Sequence, residues 1–338
     1  MNPLKLPVAR VKKLLTAARH SRILVIGDVM LDQFIWGSVT RISPEAPVPI
    51  VDFQQESFMP GGAANVARNL SALQAKAELF GIVGTDAAAG SLQALLKTQR
   101  IGCRGVVATA SRQTGLKTRI VAQTQQVVRI DRESRHDLSE ALTQRLITNL
   151  KKQIARADAI IVGDYGKGVV TQNLLNALKP LCRAHGLWLS LDPKPIHQLQ
   201  LNDLSLLTPN RREAFELANL TDATRGNDPL TDKNLLQAAA TLLRELRPAV
   251  LLITLGELGM LLCQRGHPPI HIPTVAQEVF DVSGAGDTVI ATFTLAIATG
   301  ALPLEAAILA NHAAGIVVGK VGTATASPEE LMKSFSHG

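Results

Sequence analysis

The sequence predicts an α/β protein with three layers, in which a doubly wound, mostly parallel sheet is covered by helices on both faces. Short apolar runs alternate with segments of helical periodicity through most of the 338 residues, as such folds require. Apolar residues make up 46% and charged residues 19% of the chain, which is enough apolar material for a large core and excludes a disordered chain. Two groups of strands without intervening helices break the alternation, and they predict a second, small β-sheet.

The elements of the large sheet follow from these patterns. The first strand is predicted at 22–28, an apolar run that ends in glycine and a carboxylate, as buried parallel strands do at their functional end. A helix follows Pro60-Gly61-Gly62, because apolar residues recur there at helical spacing. The other predicted strands are 78–83, 159–163, 187–192, 204–208 and 249–255, with a hairpin through Ile272, and the other predicted helices are 88–100, 138–156, 172–185, 211–217, 234–247, 284–298 and 303–319.

The small sheet is predicted from residues 33–54 and 105–131, where no helix separates the strands. We expect it to be a lid over the carboxyl ends of the large sheet, where open α/β sheets bind ligands. The whole chain, 1–338, is then a single domain that carries this lid. Uncovered sheet edges invite pairing, so we also predict a homodimer formed lid to lid.

Composition and charge narrow the classes of ligand. Lys and Arg exceed Asp and Glu by seven, but the basic residues are scattered in pairs, which favours small anionic ligands over nucleic acid. An aromatic content of 3% argues against binding by base stacking. The three cysteines lie far apart, which argues against disulfides and zinc. We find neither a signal-peptide core nor an apolar run of about 20 residues, so we expect a cytoplasmic protein without membrane contact.

The most informative segment is 280–288, which leads into the helix predicted from Gly284. Glycines at a helix start let backbone N–H groups approach an anion, and the positive end of the helix dipole stabilises its charge. A carboxylate there would repel a phosphate, so Asp287 needs a chemical reason. A hydroxyl that attacks a phosphoryl group must lose its proton, and a nearby carboxylate can accept it. The alternative is that Asp287 is only a first-turn residue favoured by the dipole.

Three motifs in order identify a family resemblance. The run Asp281-x-x-Gly284-Ala285-Gly286-Asp287 resembles the signature of the ribokinase-like (pfkB) carbohydrate kinases. The segments 61–67 and 208–213 resemble that family's N-terminal glycine signature and its Asn-x-x-Glu motif. Further segments, 27–32, 43–49, 163–168 and 192–194, are similar to the D-glycero-β-D-manno-heptose 7-phosphate kinases of lipopolysaccharide inner-core synthesis. Those kinases are often fused to a nucleotidyltransferase with a His-x-Gly-His motif, which is absent here, so the resemblance is to the kinase alone.

The resemblance implies a ribokinase-like fold, ATP as the phosphoryl donor and Mg²⁺. Asp287 would be the general base, and Gly284, Ala285 and Gly286 would donate amides to the transferring phosphoryl group. Asn210 and Glu213 would organise Mg²⁺ and the ATP phosphates, partly through water. For Arg211 and Arg212, phosphate contact and a solvated helix surface are equal alternatives. Thr254, Gly256 and Gly259 would line the nucleotide site, and Asp281 and Ser283 would hold a monovalent cation such as K⁺ or form a structural turn.

The sugar side is predicted around the first strand and the first glycine signature. Asp28 and Asp32 can accept hydrogen bonds from vicinal hydroxyls, although Asp32 could be a turn residue. Gly61 and Gly62 allow close backbone approach, and Asn65 can donate and accept. A distal phosphate on the sugar needs cations, for which the candidates are Lys167, Lys194 and Arg129, together with Lys117 and Arg119. Arg129 could instead form ion pairs on its strand.

The leading interpretation is a kinase that phosphorylates the anomeric hydroxyl of the heptose 7-phosphate to give the 1,7-bisphosphate. The alternatives are another kinase of the same family, acting on ribose, fructose 1-phosphate or a nucleoside, and a non-catalytic sugar-phosphate sensor. A dinucleotide-dependent dehydrogenase is disfavoured, because the first strand leads into Gly27-Asp28-Val29-Met30 without a Gly-x-Gly-x-x-Gly turn.

Overall fold

Thirteen strands and ten α-helices form the part of the chain described by the computed structural model, which covers residues 5–123, 125–195, 199–224 and 226–336. The strands are β1 (Arg22–Gly27), β2 (Val29–Ile42), β3 (Pro49–Gly62), β4 (Lys76–Val83), β5 (Gly102–Ala108), β6 (Gly115–Ala122), β7 (Gln125–Arg132), β8 (Ala159–Gly163), β9 (Trp188–Asp192), β10 (Leu206–Leu207), β11 (Val250–Thr254), β12 (Met260–Gln264) and β13 (Ile270–Ile272). The helices are α1 (Val8–Ala18), α2 (Ala63–Ala72), α3 (Ala87–Thr98), α4 (Glu140–Lys151), α5 (Gln172–His185), α6 (Arg211–Leu217), α7 (Lys233–Glu245), α8 (Ala285–Ala298), α9 (Pro303–Val318) and α10 (Pro328–Ser336), with 3-10 turns at Ile154–Arg156 and Gly256–Leu258.

The large sheet has nine strands in the order β13-β12-β11-β10-β9-β8-β1-β4-β5. All neighbours from β5 to β11 are parallel, and β12 and β13 add antiparallel pairs at one edge. Strand order reverses beside β1, which pairs with β4 on one side and β8 on the other. This reversal places the carboxyl ends of β1 and β8 where open parallel sheets leave a crevice for ligands.

Helices cover both faces of the large sheet, so the predicted three-layer, doubly wound fold is confirmed. Alternate residues of β1 point to opposite faces: Ile23 and Val25 belong to one buried apolar cluster, and Leu24 and Ile26 belong to the other. The first cluster includes α1, α2, α3, α8, α9 and α10, and the second includes α4, α5, α6 and α7. Each face of the sheet therefore has its own core.

Four strands form the separate small sheet, in the order β3-β2-β6-β7. The prediction is wrong for the strand at 105–108, because β5 lies at the edge of the large sheet, parallel to β4. Helix α3 joins these two strands as a parallel crossover, which returns the chain to the large sheet. The strands β2 and β3 are also longer than predicted, at 14 residues each.

The small sheet joins the large sheet at two well-defined places. A single residue, Asp28, separates the end of β1 from the start of β2, and β3 ends at Gly62, directly before α2. Asp28 and Gly62 therefore mark the first junction. There the amide of Ala63 donates to the carbonyl of Asp28 at 2.9 Å. At the second junction, Arg112 donates to the carbonyls of Ser134, His136 and Lys167.

Among the residues described, no helix combines the length and apolar character needed to cross a membrane.

Candidate active site

The head of α8 is a glycine turn. Gly284 caps the helix with φ +79°, a left-handed conformation that glycine adopts without strain, and Asp287 follows within the first turn. A Cβ atom at Gly284 would come within 2.7 Å of the Asn65 side-chain nitrogen, so the close packing also requires glycine. Gly286 has open space around its Cα. The amide of Ala285, predicted to donate to the phosphoryl group, instead donates to the carbonyl of Val282 at 3.2 Å. Gly284 and Gly286 line a space into which an anion can enter, at the positive end of the helix.

Asp287 is the carboxylate at this turn, and it is 9% exposed. Its Oδ2 accepts a hydrogen bond from Asn65 Nδ2 at 2.7 Å, and its Oδ1 accepts one from the hydroxyl of Tyr165. Burial raises the pKa of Asp287 to about 6, although both hydrogen bonds oppose the rise. The carboxylate is therefore ionised at neutral pH and remains basic enough to take up a proton.

A cleft of about 340 Å³ lies in front of this turn. Both sheets contribute to its walls, together with the loops that follow β8, β9 and β10. Of the residues predicted from sequence, the cleft is lined by Asp32, Gly62, Lys117, Arg119, Lys194, Asn210, Glu213, Thr254, Ser283, Gly284, Gly286 and Asp287. Gly61 lies beside Asp32, since a Cβ atom there would be 2.5 Å from the carboxylate oxygen of Asp32. The structure thus brings predicted residues from seven separate chain segments to one place.

The wall formed by β9 and α6 contains two acidic side chains and one side-chain amide. Asn210 and Glu213 form a reciprocal capping box, in which each side chain accepts a hydrogen bond from the other residue's amide, at 3.0 and 2.9 Å. Glu213 also forms an ion pair with Lys194. Asp192 accepts a hydrogen bond from Thr208 at 3.0 Å, and burial together with the charge of Glu213 raises its pKa to about 8. At neutral pH Asp192 is therefore largely protonated, and Lys194 balances the charge of Glu213.

A second cavity of about 630 Å³ adjoins the cleft. Thr254 and Gly286 line both spaces, while Gly256, Gly259 and Ala285 line the second cavity alone. Its other walls are largely apolar and come from β12, α8 and α9 and from the segment before α8, with Met260, Val279, Val282, Val289 and Val318 among them. Gly259 has φ +85° in the turn between β11 and β12, and a Cβ atom there would meet the carbonyl of Ile272. An apolar cavity that opens beside an amide turn suits a molecule with a flat base and a phosphate chain.

The small sheet supplies cations to the opposite wall. Arg119 forms an ion pair with Asp32 at 2.6 Å and lies over the ring of Phe34. Lys117 stands beside Asp32 in the register of β2 and β6, and within the described part of the chain no carboxylate lies within ion-pair distance of its Nζ. Burial lowers the pKa of Lys117 from its ordinary value. A half-buried lysine without an ion-pair partner at a cleft wall is a suitable group for a bound anion.

Two of the cations predicted for ATP lie outside the cleft. Arg211 forms ion pairs with Asp222 and Asp232 and packs over Phe215. Arg212 pairs with Glu216 one helical turn away, and its side chain is 87% exposed. The structure thus supports the solvated surface for Arg212. Arg211 fits neither predicted alternative, because its side chain is 15% exposed and is held in ion pairs within the protein.

Four side chains predicted for the sugar do not line the cleft. Arg129 pairs with Asp131 on its own strand. Lys167 forms an ion pair with the buried carboxylate of Glu133, at the junction between the sheets. Both oxygens of Asp28 are used by backbone amides, and the residue is only 1% exposed.

The fourth side chain is that of Asn65, which is fully buried. It donates to Asp287, so the prediction of a sugar contact for Asn65 is replaced by a contact with the carboxylate at the head of α8.

Asp281 does not line the cleft either. Its carboxylate accepts hydrogen bonds from the amides of Ser283 at 2.8 Å and Gly322 at 3.1 Å. It thereby connects the segment before α8 to the segment between α9 and α10. Its contacts are those of the structural turn that the sequence left as an alternative.

Four lining residues were not predicted as site residues: Tyr165, Asp192, Thr208 and Thr323. Tyr165 follows the buried strand β8, and Asp192 is the last residue of β9. Both lie at the same edge of the large sheet as Asp28. A carboxylate or phenol at that position is the signal that could have found them. Thr208 and Thr323 carry no such signal.

The fold and the site together are those of small-molecule kinases, in which backbone amides and a carboxylate assist phosphoryl transfer. A family model described as pfkB family carbohydrate kinase matches residues 20–330, and the chain belongs to this family. The resemblance inferred from its motifs is thereby confirmed.

Relatives and solved structures agree with this assignment. The chain is 42% identical over 311 residues to the bifunctional protein HldE of Desulfatibacillum aliphaticivorans, covering 92% of this chain and 62% of that protein. It is 41% identical over 327 residues to the bifunctional protein HldE of Geotalea uraniireducens, covering 97% and 65%. The chain thus spans less than two thirds of the length of these relatives. The structure of Arabidopsis thaliana ribokinase with ribose and ATP is similar in fold, with a TM-score of 0.72 at 20% identity over 93% of this chain and 98% of that one.

Phosphofructokinase-2 from Escherichia coli, in its complex with potassium, has a TM-score of 0.74 at 19% identity, covering 94% of this chain and 98% of that one. At these identities the likeness to the two kinases establishes a common fold.

Proposed function

We propose that this protein transfers the terminal phosphoryl group of ATP to the anomeric hydroxyl of D-glycero-β-D-manno-heptose 7-phosphate. The observation that carries the proposal is the placement of Asp287. Its buried carboxylate lies in the first turn of α8, behind the amides of Gly284 and Gly286 and facing the cleft. A proton acceptor and an anion-binding turn at one place are what phosphoryl transfer to a hydroxyl requires.

The transfer assigns a separate role to each group. The sugar hydroxyl gives its proton to Asp287 as its oxygen bonds to the terminal phosphorus, and the bond from that phosphorus to the ADP oxygen breaks. The amides at the head of α8 stabilise the negative charge on the migrating group. Asp287 is ionised before the step, because its pKa of about 6 lies below neutral pH.

The two adjoining spaces accommodate the nucleotide. We assign the adenine to the apolar cavity beside Gly256 and Gly259, and the phosphates to the amide turn, since Thr254 and Gly286 connect the two. The Arabidopsis ribokinase structure, which has this fold and contains ATP, supports ATP as the donor.

The donor set on the wall formed by β9 and α6 fits Mg²⁺. Asp192 and Glu213 are neighbouring carboxyl groups, and burial, together with the charge of Glu213, raises the pKa of Asp192. Asn210 offers a side-chain amide beside them. In the described ranges, no three His, Cys, Asp or Glu side chains form a protein cage for a metal, which suits an ion that keeps much of its water. When bound, Mg²⁺ would neutralise phosphate charge. A monovalent cation near Asp281 and Ser283 stays a prediction.

The small sheet accounts for a phosphorylated acceptor. Lys117 and Arg119 face the cleft that also contains Asp287, and Lys117 has no ion-pair partner among the described residues. A neutral pentose would leave that half-buried charge unpaired, whereas a phosphate at the distal end of a sugar would pair with it. The relatives called bifunctional protein HldE and the resemblance to heptose 7-phosphate kinases support the heptose as that sugar.

A coupled assay of ADP release across a panel of acceptors tests the proposed function. The panel contains the heptose 7-phosphate, ribose, fructose 1-phosphate, fructose 6-phosphate and a nucleoside, and the Asp287→Asn variant corrects for contaminating activity. We expect the highest kcat/KM for the heptose 7-phosphate. Turnover of a neutral sugar without turnover of the heptose phosphate would assign the chain to another acceptor. Binding of the heptose phosphate without any turnover would indicate a sensor.

We further propose a homodimer formed through the small sheets. On the face opposite Lys117, Ile130 is 55% and Val128 is 45% exposed, and Val128, Ile120 and Ile35 lie side by side in register. The edges of this sheet, β3 and β7, have no further strand beside them among the described residues. An apolar sheet face with open edges is suited to a second copy of the chain.

Sedimentation velocity at micromolar concentration measures this association. Ile130→Glu should convert the dimer to a monomer. Leu302→Glu, at an exposed apolar position directly before α9 and outside the small sheet, should leave the dimer intact. A monomeric parent protein, or a dimer insensitive to the first change, would contradict the proposal.

A further inference from the structure

The segment 163–168 has a structural feature that the proposed reaction does not yet use. It contains Tyr165, the only tyrosine in the chain, and the hydroxyl of Tyr165 donates to Oδ1 of Asp287. Burial and the neighbouring charge of Asp287 raise the pKa of Tyr165 well above its ordinary value. The phenol therefore keeps its proton and acts toward Asp287 as a donor.

The backbone around Tyr165 is held by one buried carboxylate. Asp28 accepts hydrogen bonds from the amides of Tyr165 at 2.9 Å, Lys167 at 3.0 Å and Val169 at 3.0 Å. Asp164 tightens the same turn by accepting from the amide of Gly166 at 2.9 Å. Three amides on one carboxylate fix the course of the chain from β8 into the following segment, and with it the direction in which Tyr165 leaves the backbone.

Two glycines make room for the ring. A Cβ atom at Gly163 would come within 3.1 Å of the ring of Tyr165, and one at Gly62 within 3.5 Å. The ring is thus confined between the end of β8 and the junction where β3 meets α2. Its hydroxyl has little freedom to leave Asp287.

Asp287 is consequently held by both oxygens, by Tyr165 on one and by Asn65 on the other. The charged groups that face it are Asp32 and Lys117 from the small sheet and Asp192 from β9. Burial and the charge of Asp32 disfavour the ionised form of Asp287, and the charge of Lys117 favours it. The hydrogen bonds from Tyr165 and Asn65 also favour the ionised form, and they oppose the effect of burial.

We propose that Tyr165 is a positioning residue, held in place by Asp28, that fixes the carboxylate of Asp287 in one orientation and stabilises its ionised form. Tyr165 and Asn65 each donate to one oxygen of Asp287, and the carboxylate still lines the cleft, so each oxygen retains a lone pair that can accept a proton. The inference rests on the proposed role of Asp287 as the base. It assigns to Asp28 an indirect part in the reaction, in place of the sugar contact predicted from sequence.

The single tyrosine permits a test that needs no substrate. In protein labelled with [¹³C]tyrosine, the ring carbon that carries the hydroxyl gives one NMR signal, which we follow from about pH 4.5 to 8. We expect this signal to shift with a midpoint close to the pKa of Asp287, about 6, and the shift to vanish in Asp287→Asn. A signal that does not respond in this range, or responds equally in the variant, would overturn the inference.

Kinetics of Tyr165→Phe provide the second test, because this change removes only the hydroxyl. A hydrogen bond to a charged group is worth about 1.5–3 kcal/mol, so the acidic limb of the kcat profile should move upward by about one to two pH units. The KM for ATP should remain unchanged. A loss of kcat at all pH values without movement of the limb would indicate a merely structural role.

The two tests separate the inference from the proposed function. If no sugar of the panel is phosphorylated, the proposed function fails while the NMR titration still decides whether Tyr165 senses Asp287. If Tyr165→Phe does not fold, the titration of the parent protein and of Asp287→Asn gives the answer.

Discussion

The two walls of the cleft are built in different ways. The wall at the head of α8 uses backbone amides and one short carboxylate within four consecutive residues, Gly284 to Asp287. The wall of the small sheet uses long side chains, Lys117 and Arg119, whose positions depend on the register between β2 and β6. Backbone groups at a helix start serve any phosphoryl donor, whereas side chains on a sheet can be exchanged without altering the helix. Under the proposed function, reaction chemistry and acceptor choice would therefore reside in separate elements of this protein.

The largest expected effect is on the first wall. Asp287→Asn removes the proton acceptor and keeps the size of the side chain, so kcat should fall by about 10²- to 10⁴-fold. Steady-state kinetics measure the loss, and calorimetry should show that ATP and the sugar phosphate still bind. Retained turnover would exclude Asp287 as the base.

The same variant should change how stability depends on pH. The pKa of Asp287 is about 6 in the folded protein and 3.8 ordinarily, so the folded state retains a proton that the unfolded chain releases between these values. The contribution of Asp287 to the stability of the folded protein therefore falls as the pH rises through this window. Asp287→Asn has no carboxyl group to titrate at this position. As the pH rises through the window, its free energy of unfolding should therefore increase relative to that of the parent protein, by at most about 3 kcal/mol. Urea unfolding at the two ends of the window measures it, and parallel pH dependences would contradict it.

A change in the second wall should affect acceptor binding alone. Lys117→Gln removes the charge proposed to bind the distal phosphate, and the KM for the sugar phosphate should rise by about 10- to 100-fold. The KM for ATP should change little. Arg129→Gln is the matched control, because Arg129 lies on the next strand but pairs with Asp131. If both variants raise the KM for the sugar phosphate equally, the cause would be general attraction between the protein's positive charge and the ligand, and the proposed contact with Lys117 would be wrong.

Glycine substitutions sharpen the comparison within the first wall. Gly284→Ala places a Cβ atom at a positive φ and against Asn65, and should destabilise the fold by about 1–2 kcal/mol. Gly286→Ala meets no neighbouring atom, and should leave stability equal or raise it by up to about 1 kcal/mol, since alanine favours a helix. Thermal unfolding separates the two, and equal losses would show that the turn tolerates no Cβ for another reason.

The smallest effect is expected outside both walls. Arg212→Gln removes an exposed ion pair with Glu216, so stability should change by less than about 0.5 kcal/mol and the KM for ATP should stay the same. A marked rise in the KM for ATP would restore Arg212 as a phosphate contact.

The difference between the walls also explains what sequence could predict. The glycine turn and Asp287 are contiguous, so their spacing alone places them at one helix start. The direction of a side chain on the small sheet depends on how its strand pairs with the others. The sequence alone therefore does not distinguish Lys117, Arg119 and Arg129 as candidates for the distal phosphate. The prediction for the strand at 105–108 is wrong because α3 makes a parallel crossover, which returns the chain to the large sheet beside β4.

Asp28 illustrates a further limit. A carboxylate at the end of a buried strand marks the functional edge of the sheet, and the structure does place it there. Which partner such a carboxylate meets depends on neighbouring strands that are distant in sequence, here the segment after β8. The same edge contained Tyr165 and Asp192, and nothing local distinguished them from Asp28.

The way the small sheet is attached has a consequence for engineering. One half of the small sheet, β2 and β3, is attached to the large sheet at Asp28 and Gly62. The other half, β6 and β7, is attached where Arg112 donates to the carbonyls of Ser134 and His136. The backbone between these boundaries contributes no strand to the large sheet. Residues 29–61 and 115–132 should therefore be transplantable together between homologous enzymes as a cassette that redirects acceptor preference while the recipient's nucleotide chemistry is retained.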